Sequence, residues 1–138
     1  MNNITKLESL LRTATSNIKL PSIYPLTSIM YTYNGTDWRQ YAEYIPNKYN
    51  RILLPVDIPN YNLYLMCWSP TSIAPIHGHP PTGCIFKILD GELLELRNNC
   101  KYIYSTNQTS FIQDDHEMSS PNTFSASLHL YSKYLEME

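Results

Sequence analysis

The chain lacks the long apolar runs and the basic clusters that characterise membrane and nucleic-acid proteins. No hydrophobic stretch approaches the roughly 20 residues that a helix needs to cross a bilayer, and the N-terminus has no basic segment followed by an apolar block, as a secretory signal would. The 10 lysines and arginines are scattered and the net charge is -2, whereas phosphate binding needs a clustered basic face. We therefore expect a cytoplasmic protein that has neither a membrane nor a nucleic acid as its partner.

Cysteine and histidine are both scarce. The three cysteines, Cys67, Cys84 and Cys100, are odd in number and form no CxxC pair, which argues against a disulfide framework and favours a reducing compartment. Hydrophobic residues, by contrast, make up 43% of the 138 residues and charged residues 16%. This composition argues against intrinsic disorder, and the length predicts a single domain over residues 1–138.

The first third of the chain has helical patterns. Residues 4–17 carry isoleucine and leucine at helical spacing, which predicts an amphipathic helix that ends near Pro21. Residues 36–44 predict a second short helix with Thr36 as its N-cap. We therefore expect a mostly helical N-terminal cap over residues 1–48.

The rest of the chain has the composition of β-strands. Six short segments are rich in β-branched and aromatic residues: RILLPV, NLYLMCW, CIFKILD, LLELR, KYIYST and SASLHLYS. Turn signals such as Asp90-Gly91 and Asn98-Asn99 separate them. Short strands with no long helix between them predict a mainly β fold, with a β-sandwich or small barrel over residues 49–132.

Two histidines, His77 and His79, stand two positions apart in the stretch IAPIHGHPPTGCIFKILDGEL. On a strand, residues i and i+2 point to the same face, so both imidazoles would enter one space. Two converging imidazoles are natural ligands for a first-row transition metal. The alternative interpretation is a pair of loop histidines beside two prolines, and the HxH spacing alone does not decide between the two.

The residues that follow this pair extend the pattern. Four residues separate His79 from Cys84, and six separate Cys84 from Gly91. This spacing resembles the first cupin motif with cysteine in place of the usual glutamate ligand, a variant typical of the cysteine dioxygenase family of thiol dioxygenases. The segments DWRQYAEYIPNKYNR, YLMCWSP and SLHLYS also resemble this family, so the resemblance covers about residues 36–132.

The resemblance implies a fold, a reaction and a metal. The fold is a cupin-type small β-barrel, a jelly-roll sandwich, and the reaction is the oxidation of L-cysteine to cysteine sulfinic acid by O2 at a mononuclear Fe(2+). His77, His79 and His116 match the three iron ligands. All three are neutral, so the metal keeps its full charge and favours an anionic thiolate. The alternative interpretation of His116 is an exposed histidine in the acidic loop DDHEM.

Two residues of the segment Tyr49-Asn50-Arg51 match the substrate-binding residues of the family. The resemblance implies that Arg51, with Tyr49, holds the substrate carboxylate, and a guanidinium pairs with a carboxylate through two parallel hydrogen bonds. Family members that act on mercaptopropionate replace this arginine, so its presence favours L-cysteine. The alternative interpretation is an ordinary surface arginine at the start of a strand.

Ser127, His129 and Tyr131 alternate along one predicted strand and so share a face. The resemblance implies a hydrogen-bonded row beside the iron, with the Tyr131 hydroxyl near O2 and substrate, and a thioether bond between Cys84 and Tyr131. The alternatives are an amphipathic edge strand for the row and a small buried apolar residue for Cys84. Trp68 is predicted to belong to the core.

The chain ends seven residues after Tyr131, whereas family members usually continue with further strands, so we expect a more open pocket. Two other functions remain possible on this basis: oxidation of a different small thiol or of an N-terminal cysteine in a peptide, and a cupin that binds metal or ligand without turnover. A purely structural β-domain would require the motif residues to match by coincidence. We expect a monomer, as is common in the family.

Overall fold

Two antiparallel sheets form the body of the protein in a computed structural model that describes residues 3–16 and 22–132. The strands in chain order are β1 (Tyr49–Leu53), β2 (Tyr61–Trp68), β3 (Ser72–His77), β4 (Cys84–Asp90), β5 (Glu92–Arg97), β6 (Cys100–Ser105), β7 (Thr109–Ile112), β8 (His116–Ser120) and β9 (Ser125–Ser132). One sheet has the order β1-β2-β9-β4-β7 and the other β3-β8-β5-β6. The mainly β fold is confirmed. It is a sandwich of two sheets, and within the described residues no strand pairing joins the two sheets into a closed barrel.

All six predicted strands are present, and β3, β7 and β8 are three additional strands that the composition did not predict. The largest difference is at β1, which was predicted over 51–56 but runs Tyr49–Leu53 and stops just before Pro55, a residue without a backbone donor. The predicted turn at Gly91 is confirmed. This residue has φ 81°, and a Cβ atom there would lie 2.5 Å from the Ser125 Oγ atom.

The N-terminal helices cover one face of the five-stranded sheet. They are α1 (Ile4–Thr15), a 3-10 helix (Tyr24–Leu26), α2 (Thr27–Thr32) and a second 3-10 helix (Asp37–Tyr41). Leucines and other apolar residues of α1 and α2 share a core cluster with β2 and β9. The amphipathic helix is confirmed, although its predicted end at Pro21 lies outside the described residues. None of the helices in the described ranges has the length and apolarity that a membrane span requires.

The second predicted helix, over residues 36–44, is wrong in type and extent. The segment is a 3-10 helix of five residues, and Thr36 makes no side-chain cap hydrogen bond. Asp37 is used for a tertiary contact instead: its carboxylate accepts hydrogen bonds from the backbone N–H of Ile4 at 2.8 Å and from the Tyr33 hydroxyl at 2.6 Å. A helix this short has little stability of its own, so the tertiary contacts determine its form.

Strand β9 is the central strand of its sheet. It pairs with β2 on one side and β4 on the other, and all eight of its residues are buried. Leu128 and Leu130 pack in the cluster that contains the helices, whereas Tyr131 packs in the cluster between the sheets. The alternative interpretation of this segment as a solvent-facing edge strand is therefore wrong.

Candidate metal centre

Three histidines converge between the two sheets. His77 is the last residue of β3, His116 is the first residue of β8 and lies directly opposite it, and His79 follows in the loop after β3. Their ligand nitrogens all lie within 4.8 Å of one another. The three ring centroids are 4.5 to 5.0 Å apart. The structure thus brings together the three histidines that the sequence indicated, and the exposed-loop interpretation of His116, which is 3% exposed, is wrong.

The route by which His79 reaches this position differs from the prediction. His77 and His79 do not share one strand, because β3 ends at His77. Pro80 and Pro81 follow and lack backbone donors, so a paired strand cannot continue through them. His79 is held instead by a hydrogen bond from its Nδ1 atom to the backbone carbonyl of Asp114 at 2.9 Å.

The outer nitrogen of each of the three rings faces an oxygen that can only accept a hydrogen bond. These contacts join the Nδ1 atoms of His77, His79 and His116 to the Pro75 carbonyl (2.8 Å), the Asp114 carbonyl (2.9 Å) and the Glu95 carboxylate (2.6 Å), respectively. An acceptor at Nδ1 requires the proton there, so Nε2 of each neutral ring carries a lone pair. All three lone pairs belong to the inner nitrogens of the cluster.

A cation fits this arrangement. The Nε2 atoms of His77 and His116 lie 3.1 Å apart, and Nε2 of His79 is buried without a hydrogen-bond partner among the described residues. Burial lowers the pKa of His77, and burial together with the neighbouring rings of His116 and His77 lowers the pKa of His79 to about 4. These two rings are therefore neutral at pH 7, the form that binds a metal. Three imidazole nitrogens suit a transition metal.

Glu95, on β5, is a residue of this site that the sequence analysis missed. Its side chain is fully buried, one carboxylate oxygen accepts from Nδ1 of His116, and the other accepts from the Tyr104 hydroxyl at 2.7 Å. Burial alone would raise the pKa of Glu95, but the hydrogen bonds from His116 and Tyr104 bring it below its usual range. Glu95 is therefore ionised. Its sequence signal was its alternation with Leu93, which places it on the inward face of β5.

The predicted substrate residues lie at the mouth of the same site. A cavity of about 550 Å³ is lined by the three histidines and also by Tyr49, Arg51, His129 and Tyr131. The guanidinium carbon of Arg51 lies 3.7 Å from the ring centroid of Tyr64, on β2, and 5.4 Å from that of Tyr131. Tyr49 packs against Trp68 with ring centroids 5.3 Å apart. Arg51 therefore borders the cavity that contains the three histidines, and its guanidinium lies close to two aromatic rings.

Two residues of the predicted polar row on β9, Ser127 and His129, are in contact, and the contact extends to Trp68. The Ser127 hydroxyl lies 2.7 Å from Nε2 of His129 and accepts a hydrogen bond from the indole nitrogen of Trp68 at 2.9 Å. Burial, first of all, lowers the pKa of His129 well below its usual value. The rings of His129 and Tyr131 are nearly parallel, 13° apart, with centroids 6.3 Å apart. Trp68 is a core residue, as predicted, and it also anchors this row.

Cys84 and Tyr131 are direct neighbours on the adjacent strands β4 and β9. They are paired directly in the register of β4 and β9, and both are buried, with exposed fractions of 1% and 8%. Directly opposite residues of an antiparallel pair have Cβ atoms about 4.5–5.5 Å apart. The cysteine and the phenol are therefore close enough for a contact between their side chains.

Comparison with known proteins gives a family and a fold. The model of the family described as cysteine dioxygenase type I matches residues 2–137. The chain is 27% identical over 120 residues to cysteine dioxygenase type 1 of Danio rerio and covers 60% of that protein with 74% of its own length. It is 26% identical over 130 residues to cysteine dioxygenase type 1 of Homo sapiens, with 65% of that protein and 80% of this chain covered. The chain thus spans less than two thirds of these relatives.

Solved structures that are similar to this chain share the cupin fold. A cupin-2 domain containing protein from Shewanella frigidimarina has a TM-score of 0.58 at 11% identity, over 70% of this chain and 89% of that one. A cupin superfamily protein from Desulfitobacterium hafniense has a TM-score of 0.58 at 13% identity, over 85% of this chain and 92% of that one. The cupin-type jelly-roll fold that the sequence indicated is confirmed.

Proposed function

The chain belongs to the cysteine dioxygenase type I family, and from this premise we propose that it oxidises L-cysteine to cysteine sulfinic acid with O2 at one Fe(2+) ion held by His77, His79 and His116. The observation that carries the proposal is the convergence of one ring nitrogen from each of the three histidines, with Nε2 of His79 buried without a partner in the described part of the chain. An Fe(2+) ion bound there supplies the electron-transfer chemistry that a thiol needs to react with O2.

The ligand set favours a thiol substrate. Three imidazoles contribute no charge, so a divalent ion keeps its full positive charge toward the cavity, and a thiolate is a soft anionic group that pairs with it. In the reaction both atoms of one O2 molecule bond to sulfur. The sulfur loses four electrons and O2 gains four, so no further reductant is needed.

Arg51 and Tyr49 would hold the other end of the substrate. Both residues line the cavity that contains the histidines. The face of the Arg51 guanidinium is turned to the ring of Tyr64 at 3.7 Å, while the donors of a guanidinium lie in its plane and suit a carboxylate. A molecule that carries a thiol and a carboxylate a few bonds apart matches these two ends of the cavity.

Tyr131 would act beside the reacting sulfur. It lines the cavity and lies against His79, with nearly parallel rings and centroids 6.4 Å apart. Ser127 and His129 form the hydrogen-bonded row behind it, and we propose that this row orients the phenol. We further propose a thioether bond between Cys84 Sγ and the Tyr131 ring. Its formation breaks the S–H bond of Cys84 and a ring C–H bond of Tyr131, forms one C–S bond and releases two protons and two electrons, which O2 would accept to give hydrogen peroxide.

The test of the thioether bond is intact mass. The proposal expects a mass that is lower by two hydrogen atoms and two titratable thiols in the unfolded protein. The full mass with three titratable thiols would contradict it.

The openness of the cavity supports a second candidate substrate class. Tyr49 and Ile76 both line the cavity and are 37% and 74% exposed. A thiol larger than cysteine, including an N-terminal cysteine of a peptide, could enter from this side. A cupin that binds metal without turnover is the remaining alternative.

Oxygen consumption by the iron-loaded protein tests the proposal. Addition of L-cysteine should cause O2 uptake, and the product should be heavier by two oxygen atoms. Arg51→Ala should raise KM for L-cysteine strongly and leave the iron content unchanged. Arg39→Ala is the matched control, because Arg39 stacks on Trp38 and does not line the cavity. Uptake with a larger thiol alone would favour the second candidate, and bound iron without uptake on any thiol would favour the cupin without turnover.

A further inference from the structure

We infer that Glu95 is a positioning residue for the metal centre: its buried carboxylate fixes the proton of His116 on Nδ1 and so presents the Nε2 lone pair to the metal. The inference deepens the proposed function, because it rests on His116 as a ligand. Neither the HxH spacing nor the residues that resemble the family indicated Glu95.

The contacts of Glu95 are asymmetric, and this asymmetry is informative. One carboxylate oxygen, Oε2, faces Nδ1 of His116 at 2.6 Å. The other oxygen, Oε1, accepts from the Tyr104 hydroxyl at 2.7 Å and has Nε of Arg97 at 3.4 Å. Tyr104 and Arg97 thus hold one oxygen in place and leave the other oxygen directed at His116.

Glu95 also differs from the groups behind the other two histidines. The Nδ1 atoms of His77 and His79 meet neutral backbone carbonyls, whereas His116 meets an anion. A hydrogen bond to a carboxylate is roughly twice as strong as one between neutral groups, and it increases the donor strength of the ligating nitrogen. We therefore assign to Glu95 a larger share in metal affinity than to either carbonyl.

Replacement by glutamine gives a sharp prediction because the amide has only one acceptor. The Oε1 position has two donors near it, Tyr104 and Arg97, so the amide oxygen should take that position. The amide NH2 group then faces His116 and favours a ring whose Nδ1 is unprotonated. The proton moves to Nε2, and that tautomer offers no lone pair to a metal.

Two measurements test this inference without an activity assay. Titration of the metal-free protein with Co(2+), followed by its visible absorption, should show one equivalent bound by the native protein. Glu95→Gln should bind Co(2+) about 10- to 100-fold more weakly. Glu117→Gln is the matched control: Glu117 adjoins His116 but is half-buried on the alternate face of β8, and it should bind like the native protein. Tyr104→Phe keeps the negative charge of Glu95 and should therefore weaken Co(2+) binding less than Glu95→Gln does.

The second measurement reads the position of the ring proton directly. The 15N shifts of the imidazole ring in the metal-free native protein should show His116 protonated at Nδ1, and in Glu95→Gln the proton should move toward Nε2. Two results would overturn this inference and leave the proposed function untouched. One is a native His116 that is protonated at Nε2, and the other is an unchanged Co(2+) affinity in Glu95→Gln. Failure of the native protein to bind Co(2+) would overturn it together with the proposed function. Native Co(2+) binding that depends on Glu95, without thiol oxidation by the iron-loaded protein, would leave the inference standing and reject the function.

Discussion

Replacement of Tyr64 by leucine tests how Arg51 is held at the cavity. The Arg51 guanidinium lies over the Tyr64 ring at 3.7 Å, well inside the ~6 Å range of a cation–π interaction. Tyr64 does not line the cavity. Leucine keeps an apolar side chain but removes the ring, so Arg51 loses the surface that orients its in-plane donors toward a carboxylate.

The size of the effect follows from the exposure of the pair. Arg51 is exposed and Tyr64 is half-buried, and cation–π interactions at exposed sites contribute about 0.5–1 kcal/mol. Because about 1.4 kcal/mol corresponds to a factor of ten, KM for L-cysteine should rise about 2- to 5-fold. Tyr131 remains as a second ring at 5.4 Å, so the effect should stay below that of Arg51→Ala.

The assay is the KM for O2 uptake with two thiols, L-cysteine and cysteamine, which lacks the carboxylate. Tyr64→Leu should raise KM for L-cysteine and leave kcat, iron content and KM for cysteamine unchanged. Tyr64→Phe keeps the ring and should behave like the native protein. An equal change for both thiols would refute the reasoning, because Tyr64 would then act through its neighbour Tyr131, whose ring centroid is 5.9 Å away. No change for L-cysteine would also refute it.

Three further results are expected. His79→Ala should lose the iron in metal analysis, and a full retained equivalent would contradict its ligand role. Gly91→Ala should lower the free energy of unfolding in urea by about 1–3 kcal/mol, because φ is 81° and the new Cβ meets Ser125; an unchanged midpoint would contradict this. Burial and then the hydrogen bond to Asp37 raise the pKa of Tyr33, so above pH 10 the unfolded state ionises first and stability falls by up to about 1.4 kcal/mol per pH unit. Tyr33→Phe should flatten this alkaline fall, and parallel stability curves would count against it.

The local sequence was sufficient to predict those elements whose residue pattern agrees with their place in the fold. SASLHLYS was predicted as a strand from its composition, and β9 has those bounds. Its alternation also separated Leu128 and Leu130 from Ser127 and His129, and the structure places the two sets on opposite faces. Turns that need a positive φ, such as Gly91, were equally local and are confirmed.

The missed parts depend on contacts between distant segments. β8 contains SS and a histidine and has little apolar alternation, and it forms a strand because β3 and β5 pair with it on both sides. His79 joins the cluster through a carbonyl 35 positions away, at Asp114. Glu95 meets His116 across two paired strands, β5 and β8. No window of neighbouring residues contains such partners, so a pattern in the sequence could not reveal them.

The charges around the cavity would complement the carboxylated thiol that we propose as the substrate. The three imidazoles are neutral ligands, Glu95 contributes one negative charge behind His116, and Arg51 contributes one positive charge at the mouth. Arg97 pairs with Glu95 behind His116, so a divalent ion at the histidines and Arg51 would supply the positive charge that a substrate meets. L-cysteine offers a thiolate and a carboxylate to these two groups, whereas a thiol without the carboxylate offers only the thiolate. Loss of Arg51 should therefore weaken the binding of L-cysteine and not that of a thiol without the carboxylate, whereas Glu95, already paired with Arg97, acts on the ligand His116 and not on this charge match.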